Sequence, residues 1–240
     1  WELGCRIDGC QAEYVRVPYA DTGLTPIPDH VTDDNALFLG DILSSGYFGA
    51  ELAEIQPGDT VAVIGAGPVG LCAAMCAGLF GAGDVILLDI DAHRLELAKR
   101  LGLATYTINP SAESAEEAVR ALTQGRGADA VIEAAGGADT FQTAWQIARP
   151  NSVVALVAMY EQAQPFPLPN MYGKNLIFKT GGVDAVHCDR LMKLIACGKL
   201  NTDFLITHRA PLNDLMEGYH VFGGKQEHCL KWAVTPPVNK

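Results

Sequence analysis

A glycine-punctuated turn between an apolar run and a small-residue helix constrains this chain more than any other feature. Thr60-Val-Ala-Val-Ile64 reads as a strand, and Gly65-Ala-Gly-Pro-Val-Gly70 follows it without a gap. Pro68 to Phe80 then reads as a helix, and a second apolar run closes on Asp89. Strand, G-x-G-x-x-G, helix and a strand-ending acid together make a pattern far more specific than the glycines alone. Gly65 permits the tight turn, Gly67 lets a pyrophosphate approach the backbone, and Gly70 lets the helix pack close to the strand. Pro68 stands at the first helical position, where its missing N–H costs nothing. The helix start offers unpaired N–H groups and a positive dipole end to an anion.

Asp89 lies nineteen residues after Gly70, close to the spacing at which an acid accepts from the adenosine ribose hydroxyls. A carboxylate there also repels a 2′-phosphate, so the cofactor expected is NAD rather than NADP. A solvated strand-end Asp is the bland alternative. Asp91 is placed to share the role, and Arg94 to add a second ribose contact.

The alternation extends beyond this unit. Strands are expected at Thr60–Ile64, Asp84–Asp89, Ala104–Ile108, Ala128–Ile132, Ser152–Val157 and Leu176–Thr180. Helices are expected near Pro68–Phe80, Ala92–Leu101, Ala115–Gln124 and Asp139–Ala148. Continuous apolar runs such as Val85-Ile-Leu-Leu88 belong to parallel strands buried on both faces. The fold class is therefore α/β, a doubly wound six-stranded parallel sheet of the Rossmann type. Upstream, Gln11–Val17 alternates like a strand, and Thr32–Leu52 reads as one long helix interrupted at Ser44-Ser-Gly-Tyr-Phe-Gly49. Downstream, helices are expected at His187–Cys197 and Leu212–Phe222, with strands at Phe204–His208 and Cys229–Val234.

Seventeen Lys and Arg against 28 Asp and Glu leave a net charge of -11. Without a basic surface to displace counterions, nucleic acid is not an expected partner. No apolar run reaches transmembrane length, so no membrane partner is expected either. Seven scattered cysteines with no C-x-x-C pair fit free thiols in a reducing cytoplasm. Cys72 and Cys76 stand one helical turn apart, geometrically able to meet a metal, though small buried hydrophobes are what such cysteines usually are. The opening Trp1-Glu-Leu-Gly lacks a Met and runs straight into the expected strand, so the chain is expected to be a piece of a longer protein.

With the glycine motif placed, its flanks resemble the medium-chain, zinc-dependent alcohol dehydrogenase family. Three segments carry the likeness: Gly9-Cys-Gln-Ala-Glu-Tyr-Val-Arg-Val-Pro18, Phe38-Leu-Gly-Asp-Ile-Leu-Ser-Ser-Gly-Tyr47 and Leu230-Lys-Trp-Ala-Val-Thr-Pro236. They are similar to the family's strand leading toward the coenzyme domain, its linking helix, and its C-terminal strand. The resemblance implies residues 1–42 as a remnant of a second, mainly β catalytic domain, 43–180 as the NAD-binding domain, and 181–240 as a return to the remnant.

It also implies site residues. Asp41 resembles the third zinc ligand of the branch that uses Asp, which includes secondary-alcohol and formaldehyde dehydrogenase-like members; a solvent-facing helix Asp is the alternative. The apolar neighbours of Asp41 make an unpaired carboxylate costly there. Ser45 matches a hydroxyl residue beside the nicotinamide ring and Val69 an apolar contact to it. Ala135 follows the fourth strand near the adenosine ribose or the nicotinamide side, Val157 closes the fifth strand, and the backbone at Phe178–Thr180 meets the carboxamide. Lys231 matches a basic residue on the pyrophosphate, with an idle exposed Lys as the alternative. The family's first two zinc ligands, its proton relay and its four-Cys structural zinc lobe have no counterpart here, so no catalytic set is complete in this chain.

The expected function is therefore part of a zinc-dependent, NAD-linked oxidoreductase acting on a small alcohol or aldehyde, with these 240 residues binding NAD without turnover. An NAD-binding module without chemistry and a zinc-free enone or quinone reductase are the alternatives. The sixth strand lies at the sheet edge, so a homo-oligomer joined through that edge is expected.

Overall fold

The computed structural model describes residues 2–237; Trp1 and Lys240, which bound the expected outer segments, lie outside the described residues. Two compact units form. One holds the residues up to Ala36 and those from Asn201 on; the other is Leu37–Leu200. The expected boundaries at 42/43 and 180/181 compare with 36/37 and 200/201 here.

In chain order, the first unit begins with two single-turn helices, α1 (Ala20–Gly23) and α2 (Asp33–Ala36). The second unit then runs α3 (Ile42–Leu52), β1 (Thr60–Ile64), α4 (Pro68–Leu79), β2 (Asp84–Leu88), α5 (Ala92–Arg100), β3 (Tyr106–Ile108), α6 (Ala115–Leu122), β4 (Ala128–Glu133), α7 (Thr140–Ile147), β5 (Ala148–Leu156), α8 (Leu168–Met171), β6 (Ile177–Thr180) and α9 (Cys188–Ala196). The chain returns to the first unit through β7 (Ile206–Pro211), α10 (Leu215–Gly223) and β8 (Lys231–Thr235).

The second unit is the doubly wound sheet. Its order is β3-β2-β1-β4-β5-β6, with every pairing parallel. Central strands show no polar alternation: Val61 to Ile64 and Val85 to Leu88 are all buried, because helices cover both faces. The order reverses between β1 and β4, which opens a crevice at their C-terminal ends, the place where such sheets take ligands.

Two expectations fail, each for a packing reason. The helix expected over Thr32–Leu52 is two helices, and the break falls at Leu37–Asp41 rather than at Ser44–Gly49. The glycines inside α3 are contacts, not breakers. A Cβ on Gly46 would sit 2.6 Å from the Cys72 carbonyl carbon and Cβ, and one on Gly49 would sit 2.9 Å from Val157 Cγ2. They let α3 lie directly on α4 and on the end of β5, which ties α3 to the second unit. The strand expected at Gln11–Val17 does not form, and Tyr14 is 77% exposed. Alternation alone cannot hold a strand that finds no neighbour.

β5 also starts four residues earlier than the expected Ser152, since α7 passes into it with no intervening loop. Its register against β4 shifts between Ala128 and Ala130, and Asn151 adopts a positive φ of 59°. A bulge absorbs the extra residues.

In the first unit, β7 and β8 form a parallel pair. The His208 ring stacks on Trp232 with centroids 5.3 Å apart. Arg209 grips both oxygens of Asp34, and the Thr202 hydroxyl donates to the Asn35 carbonyl at 3.1 Å.

Candidate functional site

The glycine loop leaves β1 at Gly65, whose φ of 99° is open to few residues other than glycine. A Cβ at Gly70 would overlap the Gly65 carbonyl oxygen, 1.8 Å away. Gly70 is thus the contact that brings α4 onto the turn. Gly67 differs: among the described residues beyond its chain neighbours, its missing Cβ would meet Arg94 Nη1 at 3.8 Å and nothing nearer. Its φ of -71° suits any residue, so what glycine supplies there is open space at the helix mouth. Pro68 occupies the first turn of α4, and Gly67 makes no side-chain cap. The first N–H groups of a helix lack intrahelical partners, so those of Val69 and Gly70, just past Pro68, are the donors this mouth can offer an anion. A pyrophosphate fits that cradle.

Asp89 follows β2 and is half-buried. One carboxylate oxygen accepts the Ala66 N–H at 2.5 Å and the other the Asp91 N–H at 2.8 Å. It stands beside the glycine loop as the spacing requires. Asp91 is committed elsewhere: it caps α5, accepting from the His93 and Arg94 N–H groups. Arg94 Nε lies 3.6 Å from Asp91, which leaves its Nη1 directed at Gly67. Asp89, Arg94 and the Gly65–Gly70 turn are therefore brought together.

On the far side of the crevice, Ala135 presses on the turn: a Gly65 Cβ would lie 3.0 Å from Ala135 Cβ. Val157 is half-buried at the end of β5 and touches Gly49 through Cγ2. Val69 is half-buried in the first turn of α4. Ser45 is buried in α3, and its hydroxyl donates to Asp41 Oδ1 at 3.2 Å. Phe178 lies in β6, the edge strand beside β5, and its ring packs on Phe141 and Phe166. Lys231 belongs to the first unit, where its ammonium sits 5.5 Å from the Phe222 ring centroid.

Asp41 precedes α3 and is exposed, while Phe38, Leu39 and Leu43 turn into the core. The expectation that apolar neighbours would desolvate its carboxylate is corrected: they are adjacent in sequence but face the other way. Among the described residues, no three His, Cys, Asp or Glu side chains gather as a metal site. Asp41 alone does not fit a catalytic zinc, which needs three protein ligands. Cys72 and Cys76 are fully buried. Burial pushes the Cys72 thiol up to about 12, and burial followed by the charge of Cys72 holds Cys76 well above its usual value. They are packing residues rather than thiolates.

One residue of the crevice escaped the sequence reading, which ended β4 at Ile132. Glu133 is completely buried; its Oε1 accepts the Ala135 and Gly136 N–H groups, both at 2.9 Å. A carboxylate closing an otherwise apolar buried run was the available signal.

Residues 68–184 match the model of the zinc-binding dehydrogenase family. A solved zinc-dependent alcohol dehydrogenase 2 from Streptococcus pneumonia superposes with a TM-score of 0.91 at 34% identity, over 97% of this chain and 67% of that one. The chain belongs to the medium-chain zinc-dependent alcohol dehydrogenase family. An alcohol dehydrogenase from Cupriavidus necator is 38% identical over 98% of this chain, which spans 65% of that relative's length. An NADP-dependent isopropanol dehydrogenase from Thermoanaerobacter brockii is 34% identical over 87% of this chain and 60% of its own. Family membership carries zinc and a nicotinamide cofactor in general terms, and the Thermoanaerobacter brockii relative is named for NADP. Among the described residues, no helix is long and apolar enough to cross a membrane.

Proposed function

We propose that this chain is the NAD-holding part of a zinc-dependent oxidoreductase that interconverts small alcohols and their carbonyl compounds. The observation that carries the reading is the Asp89 carboxylate, hydrogen-bonded to the glycine loop and set beside the open Gly67 mouth. Each Asp89 oxygen spends one lone pair on a backbone N–H and keeps one for a ribose hydroxyl. A 2′-phosphate in that position would meet like charge, which favours NAD over NADP. NAD, when bound, accepts hydride from the alcohol carbon. The chain's own residues supply position: the α4 mouth holds the pyrophosphate, Asp89 and Arg94 the adenosine end, and Ala135, Val157, Val69 and Ser45 the nicotinamide end. Asp41 is proposed as one zinc ligand, steadied by the Ser45 hydroxyl. A catalytic zinc would need ligands beyond Asp41, and none gather beside it among the described residues.

Titration of the 240-residue chain with NADH and NADPH tests the cofactor reading, by fluorescence of the reduced nicotinamide. Saturable binding with preference for NADH, and no alcohol-dependent reduction of NAD, is the expected result. No binding, preference for NADPH, or turnover by these residues alone would overturn it. In a longer protein containing this chain, alcohol oxidation that survives both chelation and Asp41→Ala would remove the zinc reading and favour a zinc-free reductase.

β6 closes one edge of the sheet, and Ile177 on it is 50% exposed. We infer that two chains pair across this edge, since an unpaired strand invites another. Sedimentation showing a monomer at all concentrations would refute the pairing.

A further inference from the structure

Glu133 is the last residue of β4, paired in register with Ile64, the residue before the glycine loop. Both halves of this residue hold loops. Its side-chain Oε1 accepts the Ala135 and Gly136 N–H groups, and its main-chain oxygen accepts those of Val157 at 2.9 Å and Ala158 at 3.2 Å. The loops after β4 and β5 are therefore hung on one residue. They are also in contact with each other: a Cβ on Gly136, at φ 66°, would lie 2.7 Å from the Met159 carbonyl oxygen. The Ala134 N–H donates to the Ile64 carbonyl at 2.9 Å, which locks the first loop beside the glycine turn.

The other carboxylate oxygen is anomalous. Oε2 is buried and makes no hydrogen bond of normal geometry, although the Tyr160 phenol is near enough to feel the Glu133 carboxylate. Close by, the Tyr160 hydroxyl shares a 3.3 Å contact with the Thr140 hydroxyl. Burial, and after it the Glu133 carboxylate, push the Tyr160 phenol up against the opposing effect of Thr140. A buried carboxylate oxygen left unmatched costs stability, so the residue calls for a reason beyond accepting from a turn.

The position says which function. Asp89 fixes the adenosine end over β2 and the glycine loop fixes the pyrophosphate over β1, so the nicotinamide riboside half falls across β4 and β5. We propose that Glu133 is a positioning residue that sets the two loops, Ala134–Gly137 and Val157–Tyr160, beneath the nicotinamide riboside half of the bound cofactor. The inference rests on the dinucleotide reading above and adds to it a residue that touches no part of the ligand.

The test compares NADH with AMP, which carries only the adenosine half, on the wild-type chain and two variants. Glu133→Asp keeps the charge but shortens the reach to the Ala135 and Gly136 N–H groups. It is expected to weaken NADH roughly tenfold, the scale of one lost hydrogen-bonded contact, and to leave AMP unchanged. Glu133→Gln keeps an oxygen at the same reach and is expected to restore NADH affinity to about the wild-type value. Wild-type NADH affinity in Glu133→Asp, or equal weakening of AMP, would overturn the proposal. Should Glu133→Asp not fold, amide exchange on the wild-type chain decides. NADH is expected to slow exchange at Ala135, Gly136, Val157 and Ala158 while AMP does not, and no difference between the two ligands would refute the assignment. A wild-type chain that binds neither ligand would instead sink the dinucleotide reading, and this inference with it.

Discussion

The Asp89 carboxylate accepts the Ala66 N–H at 2.5 Å, so the acid that closes β2 also braces the turn that leaves β1. The proposed ribose contact and loop geometry therefore fall on one side chain. Sequence spacing predicts only the first of these roles. The second explains why the carboxylate is half-buried rather than free, and it shapes what a substitution does.

Asp89→Asn removes the charge and turns one acceptor into a donor, which then faces the Ala66 or the Asp91 N–H. NADH affinity is expected to fall by roughly 10- to 100-fold, the range for a charged hydrogen bond. NADPH is expected to lose less, because the repulsion of its phosphate goes too. Paired fluorescence titrations check this, and an unchanged NADH to NADPH ratio would count against Asp89 as the discriminating acid.

Gly67 and Gly70 separate binding from folding. Gly67→Ala meets no backbone and has a compatible φ, so thermal stability should move by no more than about 0.5 kcal/mol. Its methyl group occupies the pyrophosphate approach, and NADH binding is expected to be lost. Gly70→Ala drives a methyl group into the Gly65 carbonyl and should cost about 1–3 kcal/mol or more. Calorimetric melting with a parallel titration distinguishes them; equal destabilisation would refute the distinction.

Gly46 and Gly78 are expected to give effects of opposite sign. Gly46→Ala pushes against Cys72 and Ala73, separating α3 from α4 at a cost of about 1–3 kcal/mol or more. Gly78→Ala, in the last turn of α4 with nothing within 4 Å, should stabilise by about 0.5–1 kcal/mol through helix propensity. Denaturant midpoints measure both, and shifts in the same direction would contradict the packing argument.

Asp129 links stability to pH. Burial acts to raise its pKa, but the Thr60 N–H, then the Arg149 and Arg126 guanidinium groups, outweigh it and hold the carboxyl below its ordinary value. Arg149 Nε is 2.6 Å away and the Thr60 N–H 2.9 Å. A lowered folded pKa contributes stability that is present above the unfolded value, about 3.9, and lost as pH falls through the folded value. Asp129→Asn should therefore melt lower than wild type at neutral pH, with the gap closing below about pH 4. A gap that stays constant into acid would show that the charge is not what matters.

The α/β alternation from Thr60 onward was legible because strands buried on both faces announce themselves as unbroken apolar runs, and helices between them by their spacing. The Gly65–Gly70 turn and Asp89 beside it were legible because strand end, tight turn, helix start and acid lie close together along the chain. Local pattern determined the doubly wound sheet and the glycine cradle. Only tertiary packing decided that Gly46 and Gly49 are contacts rather than breaks, since a glycine's meaning depends on what approaches it. Packing likewise left Gln11–Val17 without a sheet and Asp41 exposed, because a strand needs a neighbour and burial depends on which way a side chain faces. Glu133 shows the same limit at the crevice. Its partners lie in two loops, one of them more than twenty residues away, and spacing along a chain carries no record of which distant N–H groups folding will bring to one carboxylate and its carbonyl.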